Sequence, residues 1–384
     1  MTDGQRLFYY QDLFPFEDCC RWLSYCNGYI LSLREFTLSK DDKPKPRNSS
    51  FHNALEMKIN AKRICPKRID VGAIYNLSPR LVEKKLFNFF VTQREMIFDI
   101  DISDYTDVRN CCSESGICRK CWKYMATACK ILDTTLRDDF AFKHILWIYS
   151  GNRGIHCWIC DENARKLRID DRRAIACYLQ IVKPGAFNAK RVKLNGKPHH
   201  SIKRALEIIE ENFVDICIVE QNYLGTQEGI EKFLKTFLLN CNKEMRENLR
   251  EIFQKYKTSL ERWIVFENFI KETNEWENNF EIEEIKLQFL YPRIDDPVTT
   301  DMRHLLRLPF SPHNKTNKIC LPFDPKKVDD FDPLTSPDYS SLYKEQQFKN
   351  DGINENLENL EKFQQSISIF HEFVNNLEKY EQSS

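Results

Sequence analysis

Net charge is the first thing this sequence lacks, because its 57 lysines and arginines are cancelled by 57 aspartates and glutamates. No global field draws such a chain to a polyanion, so any nucleic-acid affinity has to come from local clusters or a partner subunit. Also absent is an apolar run approaching the ~20 residues that span a bilayer, which excludes a membrane-spanning helix. Residues 1–10 carry no apolar stretch of the kind a secretory leader needs. The 15 cysteines are therefore expected as reduced thiols or metal ligands of an intracellular protein, not as a disulfide framework. There is no internal repeat. What remains is a globular composition, 42% hydrophobic and 30% charged, over 384 residues that can build two or three domains.

Against that neutral background one stretch is unusual: Arg94-Glu95-Met96-Ile97-Phe98-Asp99-Ile100-Asp101-Ile102-Ser103-Asp104-Tyr105. Its apolar residues predict a strand, in which Asp99 and Asp101 share a face. Two carboxylates one pleat apart repel unless a cation lies between them, and a hard divalent ion with oxygen ligands is the usual solution. Taken alone, the pair reads first as a strand end facing water. Four cysteines follow within eleven positions, Cys111-Cys112-x5-Cys118-x2-Cys121. The two-residue spacing lets both thiolates of Cys118 and Cys121 reach one tetrahedral zinc at ~2.3 Å, and four protein ligands leave no open position, so the zinc is structural. Adjacent Cys111 and Cys112 are a less usual second half. Cys157 and Cys160 share the same spacing but fall on a predicted strand, which sends them to opposite faces and into the core.

Ser150-Gly151-Asn152-Arg153-Gly154-Ile155-His156 sits between two apolar runs and reads as strand, glycine turn, strand. Such a turn exposes amides that make an anion nest beside Ser150, Arg153 and His156, although an ordinary hairpin tip is the plainer reading. Arg47 lies on a proline-containing loop and offers a phosphate contact or a solvated side chain. From Leu167 the hydrophobic period becomes helical, and nine Lys or Arg residues lie between Arg172 and Leu206 without an acid. They suit a nucleic-acid backbone, a solvated face or a subunit contact. Ile285-Lys286-Leu287-Gln288-Phe289-Leu290-Tyr291-Pro292-Arg293-Ile294-Asp295 reads as a strand ending in a third acid, and residues 304–315 supply cations without acids. Leu357, Leu360, Phe363, Ile367, Phe370, Phe373 and Leu377 predict an amphipathic C-terminal helix, covering either this chain's own core or a partner's groove.

Together these motifs resemble the catalytic small subunit of eukaryotic and archaeal DNA primase, the eukaryotic branch most of all. Phe98-Asp99-Ile100-Asp101 with Ser103-Asp104-Tyr105 is similar to the family's acidic motif, and Cys111 to Trp122 to the zinc motif that follows it. Residues 150–156 resemble the nucleotide-binding S-G-R-R-G-x-H motif. Tyr291-Pro292-Arg293-Ile294-Asp295 resembles the strand bearing the third acid, and His304-Leu305-Leu306-Arg307-Leu308-Pro309-Phe310-Ser311-Pro312-His313 the H-L-L-K-x-P-F-S-x-H segment. Two departures stand out: Asn152 replaces the first of two arginines, and Arg307 replaces lysine.

The resemblance implies a mixed α/β fold of the α+β kind: a discontinuous catalytic core over residues 1–166 and 285–345, a helical subdomain over 167–284 and a terminal helix over 346–384. It implies template-directed, primer-independent RNA synthesis, with Asp99, Asp101 and Asp295 holding two Mg2+ or Mn2+ ions. Arg153, His156, Arg307 and His313 would cradle the incoming triphosphate with Ser150 and Arg47, and Cys111, Cys112, Cys118 and Cys121 would bind Zn2+. The implied partners are a large subunit with an iron-sulfur cluster, the DNA polymerase alpha complex, single-stranded DNA template, RNA primer and NTPs, in the nucleus. The competing readings are a primer-extending repair polymerase of the same superfamily and a non-catalytic zinc-bearing nucleic-acid scaffold.

Overall fold

The computed structural model describes residues 3–40, 49–84, 88–113, 116–182, 192–236, 243–272, 281–353 and 356–383. Arg47 therefore lies outside the described residues, as do Lys183, Lys190 and Arg191 of the basic stretch. The chain forms two compact units. One comprises Met1–Asp99, Phe142–Ala176 and Asp296–Ser384, the other Ile100–Ala141 and Cys177–Asp295.

The strands are β1 (Arg34–Ser39), β2 (Arg68–Tyr75), β3 (Val91–Gln93), β4 (Met96–Asp101), β5 (Ile145–Tyr149), β6 (Gly154–Ile159), β7 (Leu306–Arg307) and β8 (Leu321–Pro322). In one sheet β2 pairs antiparallel with β1, β3 and β7, and the β7 register sets Arg307 opposite Asp70. The other sheet has the order β4-β6-β5-β8. Each of β5 and β6 is buried along its whole length, as expected for apolar runs enclosed on both faces. Helices and two sheets make this the mixed α+β architecture expected.

Aromatic packing closes the first unit. Trp22 meets Trp158 edge-on at 5.4 Å between ring centroids and Phe370 at 5.7 Å. Phe370 belongs to the terminal helix Glu358–Ser383, which buries Leu360, Phe363, Phe370, Val374 and Leu377 in this chain's own core. The amphipathic stripe thus covers its own unit. Arg21 donates to Glu378 at 3.1 Å, and Arg165 pairs with Glu381 at 2.7 Å, along the polar borders of that stripe. Cys157 and Cys160 are core residues, and the Trp22 indole N–H donates to the Cys160 sulfur at 3.2 Å.

A buried ionic cluster precedes β4. Glu95, wholly shielded from solvent, is paired with Arg34 at 2.8 Å and Arg94 at 3.2 Å and accepts the Tyr25 hydroxyl. Arg172 is also spent here, donating to the Glu95 carbonyl at 3.1 Å, so the first cation of the basic stretch is structural. Arg173 pairs with Asp170 and Arg204 with Asp139, while Lys193 and Lys197 are exposed.

In the second unit the long helix Arg119–Asp138 is joined by His200–Glu210, Gln227–Thr236, Lys243–Gln254, Ser259–Glu272 and Glu281–Leu290. The last of these corrects the strand expected over residues 285–295. The apolar-polar alternation that suggested it comes from Lys286 and Gln288, yet both are buried. Lys286 reaches Glu210 at 2.6 Å and Glu267 at 3.5 Å. Lys286 is covered while its ammonium reaches out to these carboxylates, so an apparent outward face is turned inward and the helix is buried along residues 284–290.

Candidate nucleotide and metal sites

In the first unit β5 and β6 are joined by the turn of residues 150–153. Gly151 there has φ +83°, and a Cβ on it would lie 2.9 Å from the Lys318 carbonyl oxygen and 3.0 Å from His313 Cβ. Only glycine fits both the left-handed backbone and the contact. Ser150 N donates to Gly154 O at 3.0 Å, and Gly154 N returns to Ser150 Oγ at 3.1 Å. From β7, Arg307 donates Nη1 to the Ser150 carbonyl at 3.0 Å, which brings that cation against the turn.

His156 is enclosed in β6, only 5% exposed, with Nε2 3.7 Å from Asp99 Oδ1. Its Nδ1 is buried and finds no hydrogen-bond partner among the described residues. Burial pushes its pKa down to about 3, and the charges of Arg307 and Arg68 push the same way. His313 is lowered to about 3 by the same three causes, with smaller contributions from Lys315 and Arg153. Both imidazoles are therefore neutral at physiological pH, crowded by guanidiniums, and one carries an orphaned nitrogen. Such a cluster fits an anion. The first unit thus brings together Ser150, Arg153, His156, Arg307 and His313, with Asp99 beside His156.

Sequence reasoning missed Arg68. It stands at the start of β2, pairs with Asp70, and its charge acts on His156, His313 and Cys320. The register that sets Asp70 opposite Arg307 brings it there, and a long-range pairing of this kind has no local signal.

Asp101 ends β4 in the second unit and caps the 3-10 turn Ile102–Tyr105, its Oδ1 accepting from Ser103 N and Ser103 Oγ, both at 2.8 Å. Asp295 lies on the irregular segment after the helix Glu281–Leu290. Arg293 ties that segment to the residues after Asp101. Its Nη2 donates to Asp107 Oδ2 at 3.0 Å and its guanidinium lies 4.9 Å from the Tyr105 ring centre. Its backbone N–H donates to Tyr105 Oη at 3.1 Å.

The four cysteines do meet: the sulfurs of Cys111, Cys112, Cys118 and Cys121 all lie within 4.8 Å of one another. Cys118 and Cys121 are 3.7 Å apart, close to the ~3.8 Å edge of a tetrahedron with ~2.3 Å bonds to zinc. Cys118 caps the helix Arg119–Asp138, and its N–H donates to Cys121 Sγ at 3.1 Å. An S–H bond from Cys111 and that helix-start amide hold Cys121 down to about 5, despite burial. The donor set fits a soft divalent metal. Two supports escaped sequence reasoning. Arg109 clamps Ser113 O at 3.0 Å and Gly116 O at 2.7 Å, and Gln221 accepts the amides of Asn110 and Cys111 at 2.7 and 3.0 Å.

Comparison with known proteins shows the family. A family model described as DNA primase small subunit matches residues 98–325, which include Asp99, Asp101, the four cysteines, the 150–156 turn and the 304–315 segment. A Drosophila melanogaster DNA primase small subunit is 39% identical over 356 residues, 88% of this chain and 80% of that protein. One from Schizosaccharomyces pombe is 36% identical, covering 88% and 76%. One from Saccharomyces cerevisiae is 32% identical, covering 98% and 92%. The chain belongs to the DNA primase small subunit family.

Proposed function

We propose that this protein is the catalytic subunit of a primase, starting short RNA chains from NTPs on single-stranded DNA without a primer, for DNA replication. The observation that carries this reading is the cluster of Ser150, Arg153, His156, Arg307 and His313 beside Asp99, inside the family-matched segment. Two Mg2+ or Mn2+ ions on Asp99, Asp101 and Asp295 would activate the attacking 3'-hydroxyl and neutralise the leaving pyrophosphate. The protein's own groups do the rest. Arg153 and Arg307 would supply permanent charge to the triphosphate, and His156 and His313 would each offer it a ring N–H. Ser150 holds the turn, and Arg47, outside the described residues, would assist. Asn152 gives up one charge-assisted phosphate contact worth about 1.5–3 kcal/mol, so NTP binding is weaker than with a paired arginine at this position. Arg307 keeps the charge of a lysine but presents a planar fork.

Zinc on Cys111, Cys112, Cys118 and Cys121 has a structural role in this reading. Metal analysis of purified protein should find about one zinc per chain, and stripping it should lower thermal stability. A folded, active preparation without zinc would refute the assignment. A small subunit calls for a large one; here its iron-sulfur cluster, the DNA polymerase alpha complex and a nuclear location are part of the proposal.

Primer-free synthesis is the test. With single-stranded DNA, NTPs and Mn2+, but no primer, the protein is expected to make short RNA. Product only when a primer is supplied would favour a repair polymerase, and template binding without incorporation would favour a zinc-bearing scaffold.

A further inference from the structure

We propose that Tyr105 and Asp107 are positioning residues that hold Arg293, and through it the Asp295 segment, in a fixed place relative to Asp101; this rests on the metal site proposed above. Both acids and every group of the clamp belong to the second unit. Asp295 stands on irregular backbone after the helix Glu281–Leu290, so side chains have to fix a metal ligand carried there.

Tyr105 grips that segment by its backbone. Its hydroxyl accepts from Arg293 N at 3.1 Å and donates to Tyr291 O at 3.4 Å, so one oxygen bridges the two sides of Pro292. Arg293, only 1% exposed, grips back with its side chain. Its Nη1 donates to the Asp104 carbonyl, its Nη2 to Asp107 Oδ2 at 3.0 Å and to Gln288 O at 2.9 Å, and the guanidinium lies 4.9 Å from the Tyr105 ring centre. Asp107 supplies the carboxylate paired with this buried charge. One cation thereby joins the end of the helix Glu281–Leu290 to the residues after Asp101, two positions before Asp295. Asp101 is tied into the same turn through Ser103. The two stretches of backbone that carry the acids are cross-linked before any ion arrives, and supporting groups of this kind hold metal ligands at their working separation.

The test titrates each protein with Mn2+ alone and follows the electron paramagnetic resonance signal of the free ion, which needs no turnover. Tyr105→Phe is expected to raise the Mn2+ Kd about tenfold, and Asp107→Asn about tenfold to a hundredfold, with Asp295→Asn as the control. Tyr105→Phe keeps the ring and changes no charge, so its effect reports position alone. Melting temperatures report whether each variant is folded. Raised Mn2+ should restore primer-free synthesis by Tyr105→Phe but not by Asp295→Asn. In an Arg293→Gln background, Asp107→Asn should weaken Mn2+ binding no further, and additive losses would overturn the route through Arg293. Wild-type Mn2+ affinity in folded Tyr105→Phe and Asp107→Asn, with weakened affinity in Asp295→Asn, overturns the positioning role and leaves the metal site standing. Unchanged affinity in Asp295→Asn removes the metal site and this inference with it.

Discussion

Asp101→Asn is expected to lower nucleotide incorporation at least about a thousandfold, the scale of losing a ligand that stabilises transition-state charge by several kcal/mol. Asn preserves the cap, because its side-chain oxygen still accepts from Ser103 N and Oγ, whereas Asp101→Ala also loses those bonds and about 1 kcal/mol of stability. Asp99 and Asp101 lie two residues apart in β4 and share a face, so each Asp101 variant leaves the Asp99 carboxylate there. Comparing product with Mn2+ for wild type, Asp101→Asn and Asp101→Ala separates chemistry from folding. Incorporation near the wild-type rate in the Asn variant would show that Asp101 carries no metal.

The largest loss of stability is expected at Glu95. Its carboxylate is 0% exposed between Arg34 and Arg94, so Glu95→Ala strands two buried guanidiniums and should cost about 3–5 kcal/mol in urea unfolding. Glu95→Gln, which keeps an acceptor for Tyr25, should cost less. Burial alone would raise the Glu95 pKa, but Arg34, Arg94 and the Tyr25 hydroxyl outweigh it and hold the group well below the usual carboxylate range. The contribution is therefore fully present above the unfolded pKa of ~4.3 and is lost as pH falls toward the folded value. Wild type should lose stability with acid more steeply than Glu95→Gln. Parallel acid profiles for the two would contradict this assignment.

Local pattern carried much of this structure. The strands around Asp99 and across the 150–156 turn follow from apolar runs broken at a glycine that needs φ +83°. Cysteine spacing announced the cluster, and the structure adds that adjacent Cys111 and Cys112 both join it. The three- and four-residue recurrence from Leu357 to Leu377 located the terminal helix, but whether it covered self or partner depended on Trp22 and Phe310, far away in sequence. Residues 285–290 misled because Lys286 is buried with its ammonium paired to Glu210 and Glu267, and a polar residue in a sequence pattern is read as a solvent-facing one. Arg68, Arg109 and Gln221 could not be found from spacing, since each acts through partners brought to it by the fold.

In the proposed site, the cations around the 150–156 turn would receive a triphosphate whose metals Asp99, Asp101 and Asp295 would hold. A crystal structure with Mn2+, template DNA and a non-hydrolysable NTP tests it most directly. Anomalous density is expected for two manganese ions bound by those three aspartates, with a triphosphate against Arg153, His156, Arg307 and His313. A nucleotide bound away from these residues, or manganese absent from the aspartates while the nucleotide is in place, would contradict it.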